Sequence, residues 1–155
     1  MHAYIIEDDP LKCSRIAQFL QDRFPSIVVD TFGSFHSGLR AIESNTPGLV
    51  LLDMTLPTFD RELGARAGRF RPLGGYELLS KLKLRSVQTS VIVVTGLISF
   101  GEGNQRISFE EVRNKCAQEF SDVFRGMVYF QQSDPDWCNS LALLIGETLE
   151  GARDA

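Results

Sequence analysis

Histidine and cysteine are both scarce in this chain. There are two histidines, His2 and His36, and three cysteines, Cys13, Cys116 and Cys138. Two histidines argue against a histidine-rich zinc site. The cysteines form no Cys-x-x-Cys pair and cannot all be bridged, so their simplest reading is reduced thiols in the cytoplasm. An excess of positive charge is missing too: 16 Lys and Arg against 20 Asp and Glu give a net charge of −4. That argues against direct nucleic-acid binding through phosphate contacts. No apolar run approaches the roughly 20 residues needed to cross a bilayer. The opening Met1-His2-Ala3-Tyr4-Ile5-Ile6-Glu7 has no basic stretch before its apolar one, so no signal peptide is expected. Internal repeats and low-complexity tracts are also absent.

What remains is an ordinary globular composition, 43% apolar and 23% charged over 155 residues. One domain spanning 1–155 is expected. Short apolar runs alternate with helical patterns. Tyr4 to Ile6 reads as a strand, followed by a helix that Asp9 caps and Pro10 opens. Cys13, Ile16, Ala17, Leu20 and Phe24 recur at spacings of three and four, the stripe of an amphipathic helix stopped by Pro25. Ile27 to Phe32 is a second strand, and Ser34 caps a helix carrying Phe35, Leu39 and Ile42. Leu49-Val50-Leu51-Leu52 and Val91-Ile92-Val93-Val94 are unbroken apolar runs, as expected for strands covered on both faces.

Between them, Tyr76 to Arg85 reads as a helix. Ser108-x-x-Glu111 is a capping box for a helix reaching about Asp122. Gly126 to Gln131 is a fifth strand, and Asp134-Pro135 opens a last helix with Leu141, Leu144, Ile145 and Leu149 inward. Two connections are long: about 58–74, with Arg61, Arg66, Arg69 and Arg71, and about 97–107, with Gly101 and Gly103. Five strands alternating with five helices imply an α/β fold with a parallel sheet covered on both faces. In such a sheet, ligands bind beyond the carboxyl ends of the strands.

Three strand ends carry chemistry to that edge: Glu7-Asp8-Asp9 after the first, Asp53 after the third, Thr95-Gly96 after the fourth. Carboxylates gathered in one crevice repel unless a cation neutralises them, and hard oxygen donors suit Mg2+. Asp53 would then stay ionised and able to attack a phosphoryl group. The Thr95 hydroxyl could hydrogen-bond the transferred oxygens, and Gly96 leaves space for them.

These pieces, with Leu51-Leu52-Asp53-Met54-Thr55-Leu56-Pro57 and Gly75-Tyr76-Glu77-Leu78-Leu79 in order, resemble the receiver domain of bacterial two-component response regulators. The resemblance covers essentially the whole chain. It implies a doubly wound, five-stranded parallel sheet of flavodoxin-like order 2-1-3-4-5. It makes Asp53 the phosphoacceptor, with Asp8 and Asp53 binding Mg2+ directly, Glu7 acting through water and Thr55 lending its backbone carbonyl. Thr95 becomes the switch hydroxyl. The implied partners are a sensor histidine kinase or phosphotransfer protein and a downstream protein effector, without membrane or nucleic acid. With the chain ending just after its fifth helix, a stand-alone cytoplasmic signalling module is expected rather than an enzyme.

The chain departs from the family in two ways. The connections at about 58–74 and 97–107 are enlarged. More consequentially, receivers end the fifth strand with a lysine that holds the phosphoryl group, whereas this strand continues Tyr129-Phe130-Gln131-Gln132. Gln131 or Gln132 occupies the lysine position, and glutamine donates a hydrogen bond without a charge. An arginine of the first insertion could supply the cation, but a solvated loop is the plainer reading. The expectation is slow or short-lived phosphorylation and a partner interface that tolerates its absence. A pseudo-receiver that acts without phosphorylation is the alternative. A phosphohydrolase of haloacid-dehalogenase type is disfavoured, because Asp53-Met54-Thr55 lacks the second carboxylate of its Asp-x-Asp.

Overall fold

The strand β1 (His2–Ile6) lies inside a sheet, with a parallel neighbour on each side, and its residues from Ala3 on are buried. The computed structural model describes residues 1–60 and 70–154. From β1 the chain enters α1 (Pro10–Arg23), whose first turn is fixed by Asp9: its carboxylate accepts from the amides of Leu11 and Lys12. Then come β2 (Val28–Phe32), α2 (Phe35–Ser44) and β3 (Leu49–Leu52). Ser34 and Ser37 exchange side-chain and backbone hydrogen bonds to close the start of α2. A two-residue strand β4 (Leu56–Pro57) pairs with β5 (Phe70–Arg71) ahead of α3 (Gly74–Leu84). After β6 (Ser90–Thr95), a second small hairpin pairs β7 (Ser99–Phe100) with β8 (Ile107–Ser108). The helix α4 (Phe109–Glu119), the strand β9 (Phe124–Tyr129) and the helix α5 (Asp136–Asp154) complete the chain.

The main sheet has the order β2-β1-β3-β6-β9, and every pairing in it is parallel. Counting its five strands alone, that is 2-1-3-4-5, as the resemblance implies. The unbroken apolar runs have a direct cause. Successive strand residues face opposite sides, so Ile6, Leu52 and Val93 join one core with α2, α3 and α4, where Ile42, Leu78 and Cys116 lie. Their neighbours Ile5, Leu51 and Ile92 join the other with α1 and α5, where Ile16, Leu20 and Leu141 lie. Each such side chain contributes about 1.5–3 kcal/mol when fully buried.

Several boundaries differ from the sequence expectation. The helix α3 begins at Gly74 rather than Tyr76, because the Gly75 amide donates to Met54 O and draws the helix start onto the chain leaving β3. The helix α4 ends at Glu119 rather than near Asp122. Phe120 N donates back to Cys116 O, and the amide of Val123 closes on Phe120 O. The strand β9 runs from Phe124 to Tyr129 rather than Gly126 to Gln131. Its register shifts beside Gly126, whose φ of 153° is one that other residues rarely adopt; an added Cβ would lie 2.7 Å from Leu144 Cδ1, and that side chain would have to shift. Beyond Tyr129 the chain turns, with Gln131 bridged to Asp134. The long connections are anchored by the two hairpins.

Candidate functional site

At the carboxyl edge of the sheet, each ladder continues one residue past its strand. Glu7 N donates to Phe32 O, Asp53 N to Ile6 O, and Phe130 N to Thr95 O, at 2.8–3.0 Å. These bonds hold the strand ends side by side and aim Glu7 and Asp53 into one crevice. Glu7, Asp8 and Asp53 each present a carboxylate oxygen there, all within 4.8 Å of one another. Asp9 stands apart as the cap of α1 and also donates its amide to Glu7 Oε1 at 3.0 Å. The crevice is backed by Gly75. A Cβ on that residue would stand 2.6 Å from Asp53 O and 2.9 Å from Met54 Cα, so only glycine lets α3 approach the loop after Asp53.

A fourth charged group belongs to this site: Lys12, only 5% exposed. Its ammonium lies 2.6 Å from Glu7 Oε2 and 3.3 Å from Asp53 Oδ1, and it donates to Val94 O at 2.7 Å. The ammonium thus hydrogen-bonds one carbonyl and ion-pairs with two carboxyl groups. A lysine in the first turn of a helix opposes the helix dipole, and here the two carboxylates offset that. Nothing in the expectation from sequence marked this residue. The available signal was its place on the wheel: Lys12 is four residues before Ile16 and so flanks the apolar stripe of α1.

Burial pushes the Glu7 carboxyl up to about 8, helped by the nearby charge of Asp53 and opposed by Lys12. Asp53 accepts from the Met54 amide at 2.8 Å through the same Oδ1 that faces Lys12. Thr95 is fully buried at the adjacent strand end, and its Oγ1 accepts from Leu97 N at 3.3 Å. Thr55 is half-buried and donates its hydroxyl to Pro72 O. Gly96 is exposed; an added Cβ would meet only Phe130 O, at 3.6 Å.

The strand β9 ends at Tyr129, just ahead of the two glutamines expected in the lysine position. The residue after β9, Phe130, is buried, with Lys12 Nζ 5.8 Å from its ring centre and Trp137 packed against it. Gln131 and Gln132 lie past it and are exposed. The Gln131 side chain donates to the Tyr129 hydroxyl, and the Gln132 carbonyl accepts from Arg15. Arg61, Arg66 and Arg69 of the first insertion, and the side chain of Arg71, lie outside the described residues.

The arrangement is thus a hard-oxygen crevice around one buried carboxylate with a fixed ammonium beneath it. The response regulator receiver domain matches residues 3–107. This chain belongs to the response regulator receiver family. The match ends before β9. Among curated proteins, the chain is 29% identical over 139 residues to the uncharacterized protein y4jR of Sinorhizobium fredii, covering 88% of this chain and 91% of that one. It is 26% identical over 146 residues to the Detocs response regulatory protein DtcB of Enterobacter cloacae, covering 92% and 97%. Among solved structures, the CheY-like receiver domain protein of Methanospirillum hungatei superposes with a TM-score of 0.63 at 22% identity, covering 99% of this chain and 98% of that one. The response regulator TrrA of Thermotoga maritima, solved in complex with Mg2+-BeF, gives 0.57 at 14% identity, covering 92% and 97%.

Proposed function

We propose that this receiver accepts a phosphoryl group on Asp53 from the phosphohistidine of a sensor histidine kinase or phosphotransfer protein, and then signals by binding a protein effector. The observation that carries the reading is the crevice itself: Asp53 within reach of Glu7 and Asp8, with the buried Thr95 hydroxyl on the neighbouring strand end. In the transfer, an Asp53 carboxylate oxygen bonds to phosphorus as the P–N bond breaks, and its electron pair leaves on the imidazole nitrogen. The product is an acyl phosphate.

The donor set fits Mg2+. Three carboxyl groups offer hard oxygens in one crevice, and a divalent ion among them would favour the ionised form of Glu7 that burial disfavours. Asp8 and Asp53 would hold it directly, Glu7 through water and Thr55 through its backbone carbonyl; bound there, it supplies charge neutralisation for the incoming phosphoryl oxygens. The three cysteines are free thiols, in keeping with a cytoplasmic setting. Among the described residues no helix is long and apolar enough to cross a membrane.

Incubation with Mg2+ and phosphoramidate, followed by intact mass measurement, tests this. One added phosphoryl group is expected in the wild type and none in Asp53→Asn. Labelling that persists in Asp53→Asn, or a wild type that takes no label, overturns it. The absence of lysine from β9 favours a second reading, a pseudo-receiver that binds its partner without phosphate; an unlabelled wild type that still binds its effector would establish it.

A further inference from the structure

We infer that Lys12, from helix α1, is the cation that holds the phosphoryl group on Asp53, replacing the lysine that β9 lacks. The inference rests on the reading of Asp53 as the acceptor, and it names the residue that completes the site.

Position is the first ground. Lys12 Nζ already contacts Asp53 Oδ1, at 3.3 Å, and is 2.7 Å from Val94 O, one residue before Thr95. An ammonium fixed there lies between the acceptor and the strand end that bears the hydroxyl. A phosphoryl group bonded to Asp53 brings anionic oxygens into the space this ammonium faces.

The second ground is immobilisation. A surface lysine loses rotamer freedom to make one contact, which is why exposed pairs are worth little. Lys12 has already lost that freedom on folding, since it is buried and held by Glu7 Oε2 at 2.6 Å and by Val94 O. Its charge is therefore positioned before the reaction, as electrostatic stabilisation of a developing anion requires.

The third ground is an exchange of residue types. The buried side chain at the end of β9 is Phe130, and the ring lies beneath the Lys12 ammonium, 5.8 Å away. The strand end that carries a cation in other receivers is apolar here, and the neighbouring turn of α1 carries the cation instead. Phe130 packs into the core under α1 and α5, so the charge reaches the edge of the sheet from α1, over that ring. The slow or short-lived phosphorylation expected from sequence assumed a site with no fixed cation; with Lys12 in place, the acyl phosphate gains the partner it was expected to lack.

The test uses the full chain with Mg2+ and beryllofluoride, a phosphoryl mimic, read by ¹⁹F NMR, together with phosphoramidate labelling read by intact mass. Lys12→Met should weaken beryllofluoride binding and slow labelling by about tenfold or more, since a hydrogen bond to a charged group is lost. The double variant Lys12→Met/Phe130→Lys, which returns the cation to β9, should recover most of that loss. A Lys12→Met protein that labels and binds like wild type overturns the role of Lys12 and leaves the acceptor reading intact. A wild type that neither labels nor binds beryllofluoride overturns both. Should Lys12→Met not fold, the wild type still decides: the ¹⁵N signal of the buried ammonium should shift on adding beryllofluoride beyond any shift caused by Mg2+ alone, and an unmoved signal overturns the inference.

Discussion

Lys12 Nζ on helix α1 and Asp53 Oδ1 at the end of β3 lie 3.3 Å apart, and the same ammonium is 2.6 Å from Glu7 Oε2. One cation therefore touches both Asp53 and Glu7, whose carboxyl is pushed up to about 8 by burial and by the charge of Asp53. Removing any of the three unbalances the other two.

Asp53→Asn should abolish phosphoryl uptake while retaining the fold. It should also bring the Glu7 carboxyl below its value of about 8, because the charge of Asp53 is the second cause, after burial, of that elevation. Carboxyl ¹³C NMR of the variant checks this. A Glu7 titration unmoved by the substitution would contradict the coupling.

Stability without metal should fall as pH rises from about 4.5 to about 8. In that range the folded protein keeps a proton on Glu7 that the unfolded chain has released, so the folded state binds more protons and loses ground as they are removed. Thermal melts in a chelator across this range measure the slope. Glu7→Gln, which cannot ionise, should flatten it.

Mg2+ affinity should drop by roughly tenfold in Asp8→Asn, since a neutral amide ligates a hard cation less well and cancels no charge. Isothermal titration at fixed pH reads the change. Unaltered affinity would remove Asp8 from the metal site.

Gly75→Ala should destabilise the protein by about 1–3 kcal/mol, the usual range for forcing an extra carbon into a packed region. The added Cβ meets backbone, Asp53 O at 2.6 Å and Met54 Cα at 2.9 Å, which cannot move aside as a side chain can. Urea denaturation gives the value. The same variant should weaken Mg2+ binding, because the backbone it displaces carries Asp53.

Much of the fold was readable from local signals. Asp9, Ser34 and Ser108 were identified as caps, and each accepts an amide of its helix's first turn. The apolar runs at 49–52 and 91–94 became interior strands. The ends of β9 and α4 were not readable, because they depend on a register shift beside Gly126 and on backbone bonds such as Val91 N to Val123 O, which link distant segments. At the site, Glu7, Asp8, Asp53 and Thr95 follow apolar runs and could be placed on one edge. The neighbour of Phe130 could not be named, because it comes from α1.

The sequence by itself determined the alternation of strands and helices and the set of acids delivered to the carboxyl edge, since capping, periodicity and apolar runs act within a few residues of one another. Tertiary structure decided where the positive charge comes from. Lys12 reads locally as a polar residue beside a helix stripe, and a lysine on a helix ordinarily extends its ammonium to water. Its ammonium turns inward because the sheet places oxygens of Glu7, Asp53 and Val94 within 3.3 Å of it, partners contributed by three different strands that replace part of the water it loses.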